Sequence, residues 1–192
     1  CEKKEMITCV DIECTFKTEV HNGKRVINPM PWVGNQLVSV GYLWTSPTGH
    51  LTGSNYLCFY HNEQPPSDRA NILLQEILDT TKLLVAHNAK FDLLWLRECG
   101  FIYNGAIYDT MLTEYVINRS RMRPLSLAEC LKRRHLDPKR TDLTEDYLQK
   151  GVGFDKMPWD VVEEYGKADV SLTMQLAKAQ LEELGATFDD FI

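Results

Sequence analysis

The sequence predicts an α/β domain, a mixed sheet flanked by helices, because three β-rich runs come first, helical patterns dominate later, and a strand-turn-helix unit lies between them. Met6 to Glu13 reads MITCVDIE, with Ile7, Cys9, Asp11 and Glu13 alternating against Val10 and Ile12, as in a strand. Thr15 to Gly34 holds Asn22-Gly23, Pro29 and Pro31 and reads as a long loop with room for a small hairpin turn. Strands over Leu37–Thr45 and Leu51–Tyr60, separated by the turn formers Ser46-Pro47-Thr48-Gly49, complete an antiparallel meander with the first. An amphipathic helix follows over Asp68–Leu78, capped by Ser67 or Asp68. Lys82 to Ala86 is a short strand, and Phe91 to Cys99 a helix stopped by Gly100. A short segment then runs to Asp109, which caps a helix near Thr110–Asn118; further helices are expected near Ser126–Arg134 and Trp159–Leu184. The stretch from Leu136 to Pro158 carries no clear pattern and reads as loop.

A chain of 192 residues, 44% hydrophobic, fills one domain spanning residues 1–192. The formal charge of -6 and pI near 5.4 argue against a generally basic nucleic-acid-binding surface, although carboxylates gathered around cations push the balance the same way. The six cysteines show no paired spacing, so free thiols in a reducing compartment are expected. No apolar run approaches the roughly 18 residues that span a bilayer, and the expected location is soluble and intracellular. A chain that begins at Cys1 suggests processing or a piece of something longer.

Asp11 and Glu13 stand two apart on a strand, which puts both carboxylates on one face, where they repel unless a cation lies between them. Alone, such a pair is more often two solvated acids at a sheet edge. Asp92 sits in the first helical turn after His87-Asn88, where a dipole-stabilised acid is the plain structural reading and Asn88 can be an ordinary cap. Tyr165 and Asp169, four apart, share one face of the last helix. Each signal is weak; their order and spacing together are not.

Asp11-Ile12-Glu13, Asn88-Ala89-Lys90-Phe91-Asp92 and Tyr165-Gly166-Lys167-Ala168-Asp169 resemble the three exonuclease motifs of the DEDD superfamily, in its tyrosine subgroup. The resemblance is nearest to the proofreading domain of family A DNA polymerases. Tyr108-Asp109-Thr110-Met111-Leu112 and Leu125-Ser126-Leu127-Ala128 resemble segments those domains carry between their second and third motifs, so the likeness spans roughly residues 5 to 180. It implies a ribonuclease-H-like fold, a mixed sheet with antiparallel early strands. It also implies two divalent cations, Mg²⁺ or Mn²⁺, about 3.5–4 Å apart. Asp11, Glu13 and Asp169 would hold the first ion, Asp11 would bridge to the second, Asp92 would act on the second through water, and Tyr165 would orient the attacking water. The expected reaction is 3′→5′ removal of 5′-mononucleotides from single-stranded or frayed DNA ends, in or derived from a polymerase.

Substrate contacts are expected from Arg121, which falls where the resembling domains carry a substrate-contacting arginine, and from its neighbours Arg119 and Arg123, though a solvated loop fits these equally. His87 and Asn88 are placed to reach the end nucleotide. Phe16, Phe91 and Trp95 can stack on bases, while the helical spacing of Phe91 and Trp95 also suits the core. Two alternatives stay open: an RNA 3′-end trimming enzyme resembling ribonuclease D, which shares the four acids, and a silent nucleic-acid-binding module of the same fold, disfavoured because all four acids and the tyrosine are present.

Overall fold

A computed structural model of the chain describes residues 6–46, 48–119 and 121–192. Pro47 of the expected turn and Cys1 lie outside them. The first strand, β1 (Met6–Cys14), is central. The Asn22-Gly23 turn joins β2 (Lys17–His21) to β3 (Lys24–Asn28), with φ of 53° and 75° at its two central residues, the left-handed pair that a two-residue hairpin requires. The long loop of the sequence reading is therefore largely a hairpin. Strands β4 (Leu37–Thr45) and β5 (Leu51–Cys58) follow as expected, β5 ending two residues early.

Helix α1 (Ala70–Thr80) starts later than the sequence suggests, and neither Ser67 nor Asp68 caps it. Arg69 takes the cap position, and the Ser67 hydroxyl accepts the Cys58 amide instead, at 2.9 Å. Next come β6 (Thr81–Ala86), α2 (Ala89–Glu98), β7 (Ala106–Asp109), α3 (Thr110–Ile117) and α4 (Leu127–Arg133). Gly100, at φ 87°, ends α2 as its position predicted. The patternless stretch before the last helix holds a 3₁₀ turn, Thr141–Leu143, and the short α5 (Glu145–Gln149), and α6 (Trp159–Leu184) has the bounds read from the sequence.

The described strands form a five-stranded sheet in the order β5-β4-β1-β6-β7. The β1-β4 and β4-β5 pairs are antiparallel, the expected meander, while β1-β6 and β6-β7 are parallel. Alternation along β1 then sorts its side chains between two cores. Val10, Ile12 and Cys14 face the layer of α1 and α2, packing with Leu74, Leu78, Trp95 and Leu96. Ile7 and Cys9 face α6, against Val170, Met174, Ala177 and Leu181. Asp11 and Glu13 share the parity of Ile7 and Cys9, so the strand delivers both carboxylates to the face covered by α6.

That helix lies close to the sheet. A Cβ on Gly41, the β4 partner of Asp11, would stand 2.9 Å from the Val170 side chain, and a Cβ on Gly166 would stand 2.3 Å from the Tyr56 hydroxyl. Tyr56 cannot retreat easily, because its hydroxyl is bonded to Ser39 Oγ at 2.8 Å and donates to the Val162 carbonyl at 3.1 Å. Behind α6, buried Glu114 of α3 meets Arg133 at 3.0 Å and Arg134 at 2.6 Å and accepts from Gln180 of α6 at 2.9 Å, which fastens three helices with one carboxylate. The described cysteines, Cys9, Cys14, Cys58, Cys99 and Cys130, are all free thiols. No helix among the described residues is long and apolar enough to cross a membrane.

Candidate active site

Strand β1 outruns its parallel neighbour: β6 pairs with it only as far as Cys9, while β4 stays paired beyond Ile12. The edge amide left open at Ile12 donates to Asp92 Oδ1 at 3.2 Å. The acid of α2 is thus anchored beside Asp11 and Glu13 by main chain. Its helix is anchored in turn by Asp109, whose carboxylate accepts the amides of Asn88 at 3.0 Å and Ala89 at 2.9 Å. Asp109 also caps α3 through Met111 and Leu112, the role assigned from sequence.

From the opposite side α6 brings Tyr165 and Asp169, on the stripe of Val162, Gly166, Val170 and Thr173 that faces the sheet. Ligand atoms of Asp11, Glu13 and Asp169 lie within 4.8 Å of one another. Asp92 stands outside that trio but is close enough for its charge to interact with Asp11. Burial first, and then the charge of Asp169, push the Asp11 carboxyl up to about 7. Burial followed by the charges of Asp11 and Asp169 holds Glu13 well above its ordinary value, and burial with Asp11 does the same to Asp92. Asp169 Oδ1 is buried with no hydrogen-bond partner among the described residues. An orphaned carboxylate oxygen within a buried trio of hard oxygen donors fits a divalent cation.

Two residues at this site were not singled out from sequence. Lys139 Nζ lies 2.7 Å from Asp169 Oδ2 and 5.2 Å from the centre of the Tyr165 ring, and Phe154 stacks on that ring at 5.7 Å. Both come from the patternless stretch between α4 and α6, where no periodicity betrays a tertiary contact.

The other expected contacts are placed as follows. Both ring nitrogens of His87 are engaged, with Thr110 Oγ1 at 2.8 Å and the Leu125 carbonyl at 2.9 Å, so the ring ties β6 to the segment before α4. Asn88 sits at the start of α2 with φ 67° and makes no side-chain cap. Phe91 is half-buried against the α1-α2 core and Trp95 is buried in it, donating Nε1-H to the Pro29 carbonyl. Phe16 is half-buried beside Gly153, next to the Phe154 that supports Tyr165. Arg119, Arg121 and Arg123 are exposed between α3 and α4.

The raised carboxyls make stability depend on pH. A carboxyl whose folded value exceeds its unfolded value of about 4 leaves stability unaffected while both states are protonated; between about pH 4 and 7 the folded chain keeps a proton that the unfolded chain has lost. Stability therefore falls as pH rises across that window. The melting temperature of metal-free protein is expected to drop by roughly 4–8 °C more between pH 5 and pH 8 in the wild type than in Asp11→Asn. Parallel melting curves for the two proteins would show that Asp11 carries no such burden.

Residues 58–184 match the model of a 3′-5′ exonuclease family; that span contains Asp92, Lys139, Tyr165 and Asp169, while Asp11 and Glu13 lie ahead of it. Among solved structures, the chain is similar to one described as the apo form of a nuclease, at 15% identity and a TM-score of 0.53, covering 93% of this chain and 74% of that one. Another is Brucella melitensis NrnC with bound Mg²⁺, at 14% identity and a TM-score of 0.48, covering 95% of this chain and 77% of that one. No curated protein matches the chain. The likeness to the apo nuclease shows a shared fold, the ribonuclease-H-like mixed sheet with flanking helices. With two thirds of its length matched by the family model, the chain belongs to the 3′-5′ exonuclease family.

Proposed function

We propose that this exonuclease trims single-stranded or frayed DNA 3′ ends, releasing 5′-mononucleotides in the manner of a polymerase proofreading domain, with Mg²⁺ or Mn²⁺ held by its four acids. The observation that carries the reading is the buried trio of Asp11, Glu13 and Asp169 with one Asp169 oxygen unpartnered. Bound ions supply water activation and neutralise the charge gathering on the phosphate. Asp11, Glu13 and Asp169 present the oxygens for one ion. Asp92, anchored by Oδ1 on the Ile12 amide, is the acid we assign to the second through water.

Burial and the Glu13 charge raise the Tyr165 hydroxyl above its ordinary value, so it stays protonated at neutral pH and orients the water by donating a hydrogen bond instead of taking its proton. Phe154 stacks against the ring and supports it from one side. Arg121 and Phe16 are the side chains we assign to the phosphate and base of the strand, with Asn88 and Phe91 near the terminal nucleotide. The polymerase-like segments around Asp109 and Ser126 support DNA over RNA.

End-labelled single-stranded DNA, the same sequence as RNA, a paired duplex and a circular single strand, each with Mg²⁺, Mn²⁺ or chelator, test the proposal. Stepwise trimming of the DNA strand, slower on duplex and absent in chelator, is expected. Faster RNA trimming would replace this reading with the ribonuclease D type; cuts in the circle, or robust release in chelator, would remove it. Tyr165→Phe is expected to slow single-turnover trimming by roughly 10–10³-fold with Mn²⁺ affinity unchanged, since one positioning bond is lost and no ligand is. Wild-type turnover in that variant would show that the hydroxyl does not position the water.

A further inference from the structure

The acid cluster already contains a positive charge. Lys139 comes from the loop between α4 and the Thr141–Leu143 turn, and its side chain is largely buried, 22% exposed, with Nζ 2.7 Å from Asp169 Oδ2. Its neighbour Arg140 pins the loop to α6 through Glu164 at 3.0 Å. Asp169 is thus divided: Oδ2 is on the ammonium, and Oδ1 is buried without a partner. A cation gained on Oδ1, or one exchanged for the ammonium, would complete the coordination of a carboxylate half satisfied in this way.

We propose that Lys139 is the resident cation of the metal-free site, a positioning residue that holds Asp169 and Tyr165 in place and is displaced from Asp169 when a divalent ion enters. Its ammonium lies 2.7 Å from Asp169 Oδ2 and 5.2 Å from the centre of the Tyr165 ring, so one cation touches both side chains that α6 brings to the site. Two cations on one carboxylate repel each other, so Lys139 lowers metal affinity while holding the acids in place without metal. Once released at the mouth of the site, the ammonium has an incoming phosphate as its natural partner.

This inference rests on the metal reading of the site, and calorimetric titration of Mn²⁺ into wild type, Lys139→Met and Lys139→Arg separates the two. No binding to wild type defeats both. Binding to wild type with Lys139→Met tighter by about 10-fold or more, and Lys139→Arg near wild type, is the expected result. A lysine needed only for packing would give the opposite sign, so equal or weaker binding in Lys139→Met overturns the inference and leaves the metal site standing. If Lys139→Met does not fold, the wild type still decides. Acetylation of its lysines by an N-hydroxysuccinimide ester, read by mass spectrometry, should rise at Lys139 on adding Mn²⁺ and stay constant at Lys167, which is exposed on α6. Reactivity at Lys139 that is unchanged or reduced by Mn²⁺ overturns the proposal.

Discussion

Asp11→Ala is expected to slow trimming by more than roughly 10³-fold and to abolish calorimetrically detectable Mn²⁺ binding, while its metal-free form melts above the wild type. Removing a single preorganised stabilising donor typically slows a reaction 10²–10³-fold, and Asp11 in the proposed arrangement serves both ions, so its loss goes beyond that range. The gain in stability has the opposite origin. Asp11 raises the cost of ionising Glu13 and Asp92, and without it the remaining acids face Lys139 with less mutual repulsion. Saturating Mn²⁺ should reverse the order of melting temperatures, because only the wild type gains binding energy. An Asp11→Ala protein that melts lower than wild type in chelator would identify the carboxylate as a structural partner.

Gly166→Val should damage fold and chemistry together. The added carbons have no room against Tyr56, whose hydroxyl is fixed by Ser39 and Val162. Overpacking costs about 1–3 kcal/mol and occasionally more, and the fixed Tyr56 puts this case at the upper end, so a loss of about 3 kcal/mol, roughly 6–12 °C in melting temperature, is expected. The relief available is for α6 to lift from the sheet, which carries Tyr165 and Asp169 away from Asp11. A displacement near 1 Å can cost about 10²-fold in rate. Lys167→Val, at the exposed neighbouring position, controls for the helix propensity of valine and should lose no more than about 1 kcal/mol. If both variants melt alike, the close approach at Gly166 does not constrain the helix.

The parts of this site legible in sequence were those whose placement follows from local periodicity. Asp11 and Glu13 alternate with Val10 and Ile12, and Tyr165 and Asp169 repeat with the apolar stripe of α6, so each pair's shared face could be read directly. The Asp109 cap was legible for the same reason, being a bond to amides two and three residues on. Its bonds to Asn88 and Ala89 were not, since they cross 20 or more residues. Ser67 misled because a capping hydroxyl can serve any nearby amide, and here it serves that of Cys58. Lys139 and Phe154 gave no signal: an aperiodic stretch takes its conformation from what it touches, and what it touches is α6. Gly166 reads in sequence only as a weak point in a helix, and its purpose lies in the distance to Tyr56.

The central position of β1 also bears on time. A strand paired on both sides and covered on both faces opens only when the whole domain does, so amides from Ile7 to Cys9 should be among the slowest in the molecule to exchange with deuterium, whereas those of Met122 and Leu125, in an irregular surface segment, should exchange within seconds. Asp11 and Glu13 extend directly from that slow segment, held on one side by β4 alone. Control over such a nuclease that leaves β1 folded has to act elsewhere: on the 3′ end, on the metal, or on the side chains that α2 and α6 bring to the strand.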